Sequence, residues 1–429
     1  MADNNNQINL KEAVSIGIGG MVGGGIFAVL GLAVDLSKGG TPVAFLFAGI
    51  IAFLTSYSYA KLSLAFPSSG GTVKFVNEGF GTGVFSGGTN NLLWISYIVM
   101  LSLYAVAFGS YAAHLIKITG NASLDTHIYL SGIILFSTII NYKGVKLVSI
   151  SESIAVYTKL VILGLFVVIG LYNLSNSSHL AQLAPAKWET PFNLLTGGMV
   201  IFVAYEGFEL IANSSSDIEN PEKNISRAFY ISVISVVILY VLIAIITVGS
   251  LSFETVKTAQ EYVLAEAAKP LLGQVGFTAI AITAMISTFS AINATIYGGS
   301  RVNYKTAKSK ELPREFTKQL WNQPIGLLVI VVLTLLIANT LNLESISTSG
   351  SAGFLLIFAV VNLVNYKLAD KTNSHKFISL TAAIFCFIAL AALLFQQFTT
   401  NFIGAIVGLA IIASAYLIEF IYKKTIYDR

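Results

Sequence analysis

Apolar stretches of about twenty residues follow one another along almost the whole chain, each long enough to cross a hydrocarbon core of ~30 Å as a helix. Inside a bilayer no water satisfies a peptide group, so a spanning segment must be a helix or a strand of a closed barrel. Barrel strands would read as alternating segments of ~10 residues, and the sequence has none. Only 11% of the residues are charged, against about 25% in soluble domains. The fold class is therefore an all-α polytopic membrane protein.

The hydropathy pattern predicts twelve spans, at about 12–35, 42–66, 84–113, 127–142, 149–172, 193–213, 225–250, 274–303, 325–341, 346–367, 377–397 and 400–422. With the N-terminus inside, only Lys38, Lys117, Lys187, Lys257 and Lys269 of the 25 Lys and Arg fall outside, and Lys159 falls within a span. The rest lie inside, so both termini are expected to be cytoplasmic. The polar start "MADNNNQINLKE" lacks the basic and short apolar regions of a cleaved leader, so the first span is expected to remain. Connections are short. One membrane domain, 12–423, lies between a tail at 1–11 and a tail at 424–429. The largest polar insertions are an acidic outer segment, 252–270, and a basic inner one, 300–324, suited to anionic headgroups rather than to nucleic acid. The single cysteine, Cys386, excludes an intrachain disulfide.

The stretch "GGMVGGGIF", residues 19–27, places five glycines in the middle of the first span. Span 6 carries Gly207 between Glu206 and Glu209 and dissolves into serines at 214–216. Two interrupted helices five spans apart are the signature of two inverted repeats, here about 12–172 and 193–367, leaving two extra helices at about 377–422. Irregular backbone at membrane depth is tolerated only where it is packed in protein or lines a cavity. A mid-membrane break frees N–H groups on one half-helix and C=O groups on the other. Those ends suit the carboxylate and the ammonium of a zwitterion.

Lys159 sits ten residues from Ser149 in "SIAVYTKLVILGLFVVIGLY". At ~1.5 Å per residue that is about 15 Å from the nearer helix end, beyond ordinary snorkelling. A mid-span lysine costs about 2.5–3.5 kcal/mol on insertion scales. Either something compensates the charge, as a salt bridge to Glu206 or Glu209 would, or the amine gives up its proton and acts as a proton carrier. Glu206 either faces the cavity and favours cationic substrates such as lysine, arginine or a polyamine, or is protonated and inert.

The chain resembles the amino acid–polyamine–organocation superfamily of permeases over at least its first ten spans. The resemblance rests on "EAVSIGIGGMVGGGIF", "FPSSGGTVKFVNEGFG" (66–81), "FVAYEGFELIANSSSDIENPEKNISRA" (202–228) and "SAINATIYGGSRVNYKTAKSKELP" (290–313). Among members it is most similar to proton-coupled, broad-specificity permeases of the ApcT type. The resemblance implies a LeuT-type fold, alternating access, and a site between spans 1, 3, 6, 8 and 10. It implies that the substrate carboxylate meets the N–H groups of Gly23, Gly24 and Gly25, and the amine the carbonyls near Gly20 or Met21 and at 202–205. Phe202 and Tyr205 would close over the ligand, and Ser96 and Tyr97 would touch its side chain. It also puts Lys159 in the cation site of sodium-coupled relatives, with Gly19, Ser287 and Ser290 as contacts, and Glu209, matching the acidic residue of the family's "GFE" motif, as a gating or proton-sensing carboxylate. Glu206 departs from the pattern, since members usually carry an uncharged residue there.

The four histidines lie at span ends or in loops without HExxH spacing, and no Walker loop, "GxSxG" or metal set occurs. The expected function is amino acid transport by proton symport in the cell membrane. No cofactor is expected beyond the proton as coupling ion, the partners are the substrate and the lipid, and no obligate protein partner is indicated. An amino acid/amine exchanger is the nearest alternative, and a channel or receptor a more distant one.

Overall fold

The computed structural model describes residues 7–143, 146–308, 319–320 and 323–427. The chain begins with a capped helix. Asn9 accepts from the Glu12 N–H and the Glu12 carboxylate accepts from the Asn9 N–H, a reciprocal box that satisfies two otherwise orphan donors. Helix α1 (Leu10–Met21) thus starts two residues before the expected span. It is followed by α2 (Gly25–Ser37), bent from it by 46°, and by α3 (Thr41–Ala65). A short helix unforeseen in the sequence, α4 (Gly71–Phe80), leads into α5 (Val84–Leu115), α6 (Ala122–Lys143) and α7 (Lys146–Leu174).

The second half opens on α8 (Pro191–Val200), a 3-10 run Phe202–Glu209 and α9 (Leu210–Asn213), with a bend of 47°. Then come α10 (Pro221–Ser250), the short α11 (Phe253–Thr258) and α12 (Val263–Lys308). Helix α12 is kinked at Leu272–Gly273, where Gly273 has φ +61° with no atom near its missing side chain. That left-handed residue explains why the apolar span reads from 274. A two-residue antiparallel pair, Gln319–Leu320 with Gln323–Pro324, precedes α13 (Ile325–Thr340). Helices α14 (Leu343–Lys367), α15 (Ala369–Thr372), α16 (Lys376–Thr400) and α17 (Phe402–Tyr427) complete the chain.

Among the described residues nine helices are long and apolar enough to cross a membrane, and eleven spans result if each bent pair counts as one. The expected ninth span is α13, whose 16 residues reach only ~24 Å at ~1.5 Å each. Within the basic segment 300–324, residues 309–318 and 321–322 lie outside the described residues.

Burial sorts the helices. The most apolar windows of α5 and α14 are 89% buried, those of α6 and α17 only 28%. Helix α5 therefore forms the axis, packed by α6, α12, α14 and α17. Helix α10 packs on α1 and α3. An axial helix covered all round has no polar face, and its residues run apolar, small and hydroxyl without period.

Candidate functional site

The two bends meet. A Cβ on Gly207 would lie 2.2 Å from the Gly20 carbonyl carbon, and one on Gly20 would lie 2.6 Å from Gly207 O. Only glycine at both positions lets the two main chains touch. Around this crossing the freed peptide groups can be traced one by one, as burial requires. The Gly19 carbonyl accepts from Lys159 Nζ at 2.9 Å. Gly20 O accepts from the Gly23 N–H at 3.3 Å. The Tyr240 hydroxyl of α10 lies 2.7 Å from Met21 O and 3.3 Å from Ala204 O, and so serves both breaks. The Ser287 hydroxyl of α12 lies 2.9 Å from Val22 O and also contacts Gly23 O. At the second bend Ser347 and Ser351 of α14 donate to Val200 O at 2.7 and 2.9 Å, and Ser351 Oγ accepts from the Val203 N–H.

The local conformation also decides where the glutamates point. A 3-10 helix has three residues per turn, so positions three apart eclipse. Over Phe202–Glu209 this stacks Glu206 and Glu209 on one face, where they meet two tyrosines seven apart on α5. Tyr97 donates to Glu209 Oε1, and Tyr104 OH lies 3.4 Å from Glu206 Oε1. Glu209 Oε2 accepts further from Thr72 of α4 at 3.0 Å and from Tyr59 of α3 at 3.3 Å. Glu206 is 6% exposed, and its Oε2 has no hydrogen-bond partner among the described residues.

A cavity of about 50 Å³ opens beside the crossing. Gly19, Gly20, Tyr97, Tyr104 and Glu206 wall it near the bends, and it runs along α12 past Ser290 and Thr295 toward Asn213 and Gly299. That volume admits a few waters, less than an amino acid needs. The opposite end of the bundle is shut. A Cβ on Gly31 of α2 would lie 2.1 Å from Gln260 O, and the Tyr111 hydroxyl donates to Phe27 O at 3.2 Å.

The residues singled out in the sequence divide accordingly. Gly19, Gly20, Tyr97, Glu206 and Ser290 line the cavity, and Lys159, 1% exposed, stands directly behind Gly19. Gly23, Gly24 and Gly25 do not line it. Gly24 faces the Tyr104 ring and Gly25 backs onto Ala204. The Met21 carbonyl is occupied by Tyr240, and Ser287 serves the bend rather than the wall. Ser96 faces Gly353 of α14. Phe202 packs edge-on to Phe358, and Tyr205 is buried with its hydroxyl on Phe45 O at 3.0 Å. Both aromatics are core, because the tight 3-10 turn carries their side chains away from the glutamate face. Glu209 lies below the wall, held by its hydroxyls. Tyr104, Tyr240, Ser347, Ser351, Tyr59 and Thr72 escaped the sequence reading. The serine-rich run 345–351 and a tyrosine inside the apolar span 7 were the available signals.

The amino acid permease family profile matches residues 8–420. The chain belongs to this family. It is 36% identical over 427 residues to an uncharacterised protein of Methanocaldococcus jannaschii, covering 98% of this chain and 96% of that protein. It is 34% identical over 374 residues to the inner membrane transport protein YbaT of Escherichia coli, covering 86% and 85%. It is 24% identical over 396 residues to the branched-chain amino acid permease BcaP of Lactococcus lactis, covering 86% and 83%. This permease is accordingly a multi-pass membrane transporter for amino acids, not an enzyme.

Proposed function

We propose that this permease is a secondary active amino acid transporter driven by protons. Two inverted repeats of the LeuT type, about 12–172 and 193–367, the second counting α13 as a span, would make twelve spans with the two extra helices. Both termini would be cytoplasmic, in the cell membrane, and the proton would be the coupling ion with no cofactor. The observation that carries the reading is the hydrogen bond from Lys159 to Gly19 O, at the last turn of α1. The C-terminal end of a helix carries partial negative charge from its free carbonyls, so a charged amine there binds α1 to α7 more strongly than a neutral one. Loss of the proton weakens that tie just where the first span bends, and the position of α1 follows the proton. The cavity running toward Asn213 and Gly299, with the Gly31 end shut, fits an inward-facing member of an alternating pair of states. Ligand and proton then act by differential binding to the two states.

Uptake of labelled amino acids into proteoliposomes tests this. An inside-alkaline pH gradient is expected to drive accumulation into empty vesicles, and a protonophore to abolish it. Accumulation only into vesicles preloaded with amino acid or amine would mark an exchanger instead.

A further inference from the structure

We infer that Glu206 is the cation-receiving group of the cavity and selects substrates of net positive charge, the dibasic amino acids and their amines. The inference rests on the transport reading above and names its substrate class. Among the described residues Glu206 is the one carboxylate or amine that walls the cavity. One of its oxygens has a long hydrogen bond with Tyr104 at 3.4 Å, and the other has no hydrogen-bond partner among the described residues. A buried carboxylate without a partner is costly, and a paired one much less so. The neighbouring Glu209 sets the contrast, since phenol and threonine hydroxyls occupy both its oxygens.

Several of the carbonyls expected to hold a substrate amine already have a donor. Met21 O takes Tyr240, which also lies 3.3 Å from Ala204 O, and Gly20 O takes the Gly23 amide. An ammonium or guanidinium entering the cavity therefore finds its strongest free acceptor at Glu206 Oε2. Charge balance favours the same class. Two carboxylates, Glu206 and Glu209, stand against one amine, Lys159, around the crossing. With all three groups ionised, a zwitterion leaves one excess negative charge in place, whereas lysine or arginine cancels it. The wall opposite is made of small groups, among them Ala291, Ala294 and Gly298, which leave room for a long side chain once the cavity widens.

The test compares isosteres. Purified protein in detergent is titrated with all twenty amino acids and with norleucine, which matches lysine without its terminal charge, following the thermal unfolding midpoint. Lysine is expected to reach half-effect at a concentration at least about tenfold below that of norleucine, the worth of one charge-assisted hydrogen bond. In Glu206→Gln that ratio is expected to fall to within about threefold. Norleucine equal to or better than lysine in the unaltered protein overturns the assignment without any variant. So does a ratio that Glu206→Gln leaves unchanged. Binding of neutral amino acids but no dibasic ones defeats this inference alone. Failure of every amino acid to bind defeats the transport reading beneath it.

Discussion

Gly20 and Gly207, one from each bent span, meet main chain to main chain, and a side chain on either would overlap the other's backbone. The crossing joins the end of α1 to the 3-10 run that carries Glu206 and Glu209. Gly207→Ala is therefore expected to force the two bends apart, costing at least the ~1–3 kcal/mol typical of overpacking. Gly298→Ala, on α12 in the same cavity but with nothing within 4 Å of its Cβ, should hold the unfolding midpoint or raise it slightly, alanine being the better helix former. Thermal unfolding of the two variants checks this, and equal midpoints would show that the crossing is not tight.

Lys159→Met keeps the volume of the side chain and removes its charge and donor. Proton-driven accumulation is expected to fall to background, and the remaining exchange of amino acid across the membrane to lose its dependence on pH. The variant should still insert and purify as a monodisperse protein, because the hydrogen bond lost at Gly19 O is worth about 1.5–3 kcal/mol with a charged donor. Accumulation at the unaltered level would remove Lys159 from the coupling mechanism.

Tyr240 donates to Met21 O, a carbonyl beyond the last amide of α1, and also lies 3.3 Å from Ala204 O in the 3-10 run. Tyr240→Phe retains its ring contacts with Phe45 and Tyr205 but leaves Met21 O short of its donor. A loss of about 1–3 kcal/mol is expected, read as a lowered unfolding midpoint. A midpoint matching the unaltered protein would mean that other donors replace the phenol.

Much of this site was legible in the sequence, for definite reasons. Glycine clusters betray a bend because glycine in a helix costs up to about 1 kcal/mol relative to alanine, so Gly19–Gly25 and Gly207 marked both interruptions. Lys159 stood out because a mid-membrane amine must have a use. The partners of the freed carbonyls were not legible, since which hydroxyl reaches Met21 O or Val200 O depends on how α10 and α14 pack. The pairing of Tyr97 with Glu209 and of Tyr104 with Glu206 needed the 3-10 geometry, and hydropathy does not distinguish that turn from an α-helix. The same turn withdrew Phe202 and Tyr205 from the cavity. Asn9 and Glu12 carried a readable capping signal that extends α1 toward the N-terminus.

Gly24 shows how a bend residue acts at a distance. Its Cβ would fall 2.1 Å from the Tyr104 ring, so Gly24→Ala displaces the phenol that faces Glu206. Weaker substrate binding is expected, by about tenfold if the Glu206 contact is lost as well. Tyr104→Phe, which keeps the ring and removes only the hydroxyl, should weaken binding without Gly24→Ala's loss of stability. Unaltered affinity in Tyr104→Phe would show that the Tyr104 ring merely fills space.

The shut end of the bundle gives the last expectation. Gly31 of α2 lies against the backbone of Gln260, and a Cβ there would sit 2.1 Å from its carbonyl oxygen. Gln260 also reaches Asp35 at 3.4 Å, and Asp35 pairs with Lys38 at 2.9 Å. These contacts close the segment ahead of α12 over α2, so that Gly31→Leu should hold the end ajar. Ser37, at the last turn of α2, is fully buried in the closed arrangement and can report on it. In a Cys386→Ser background, cysteine placed at Ser37 should react slowly with a membrane-impermeant maleimide. Gly31→Leu should speed that labelling by about tenfold, while uptake falls because the closed state is no longer reached. Labelling as slow as in the parent would show that α2 and Gln260 separate without opening a path, and that the gate lies elsewhere.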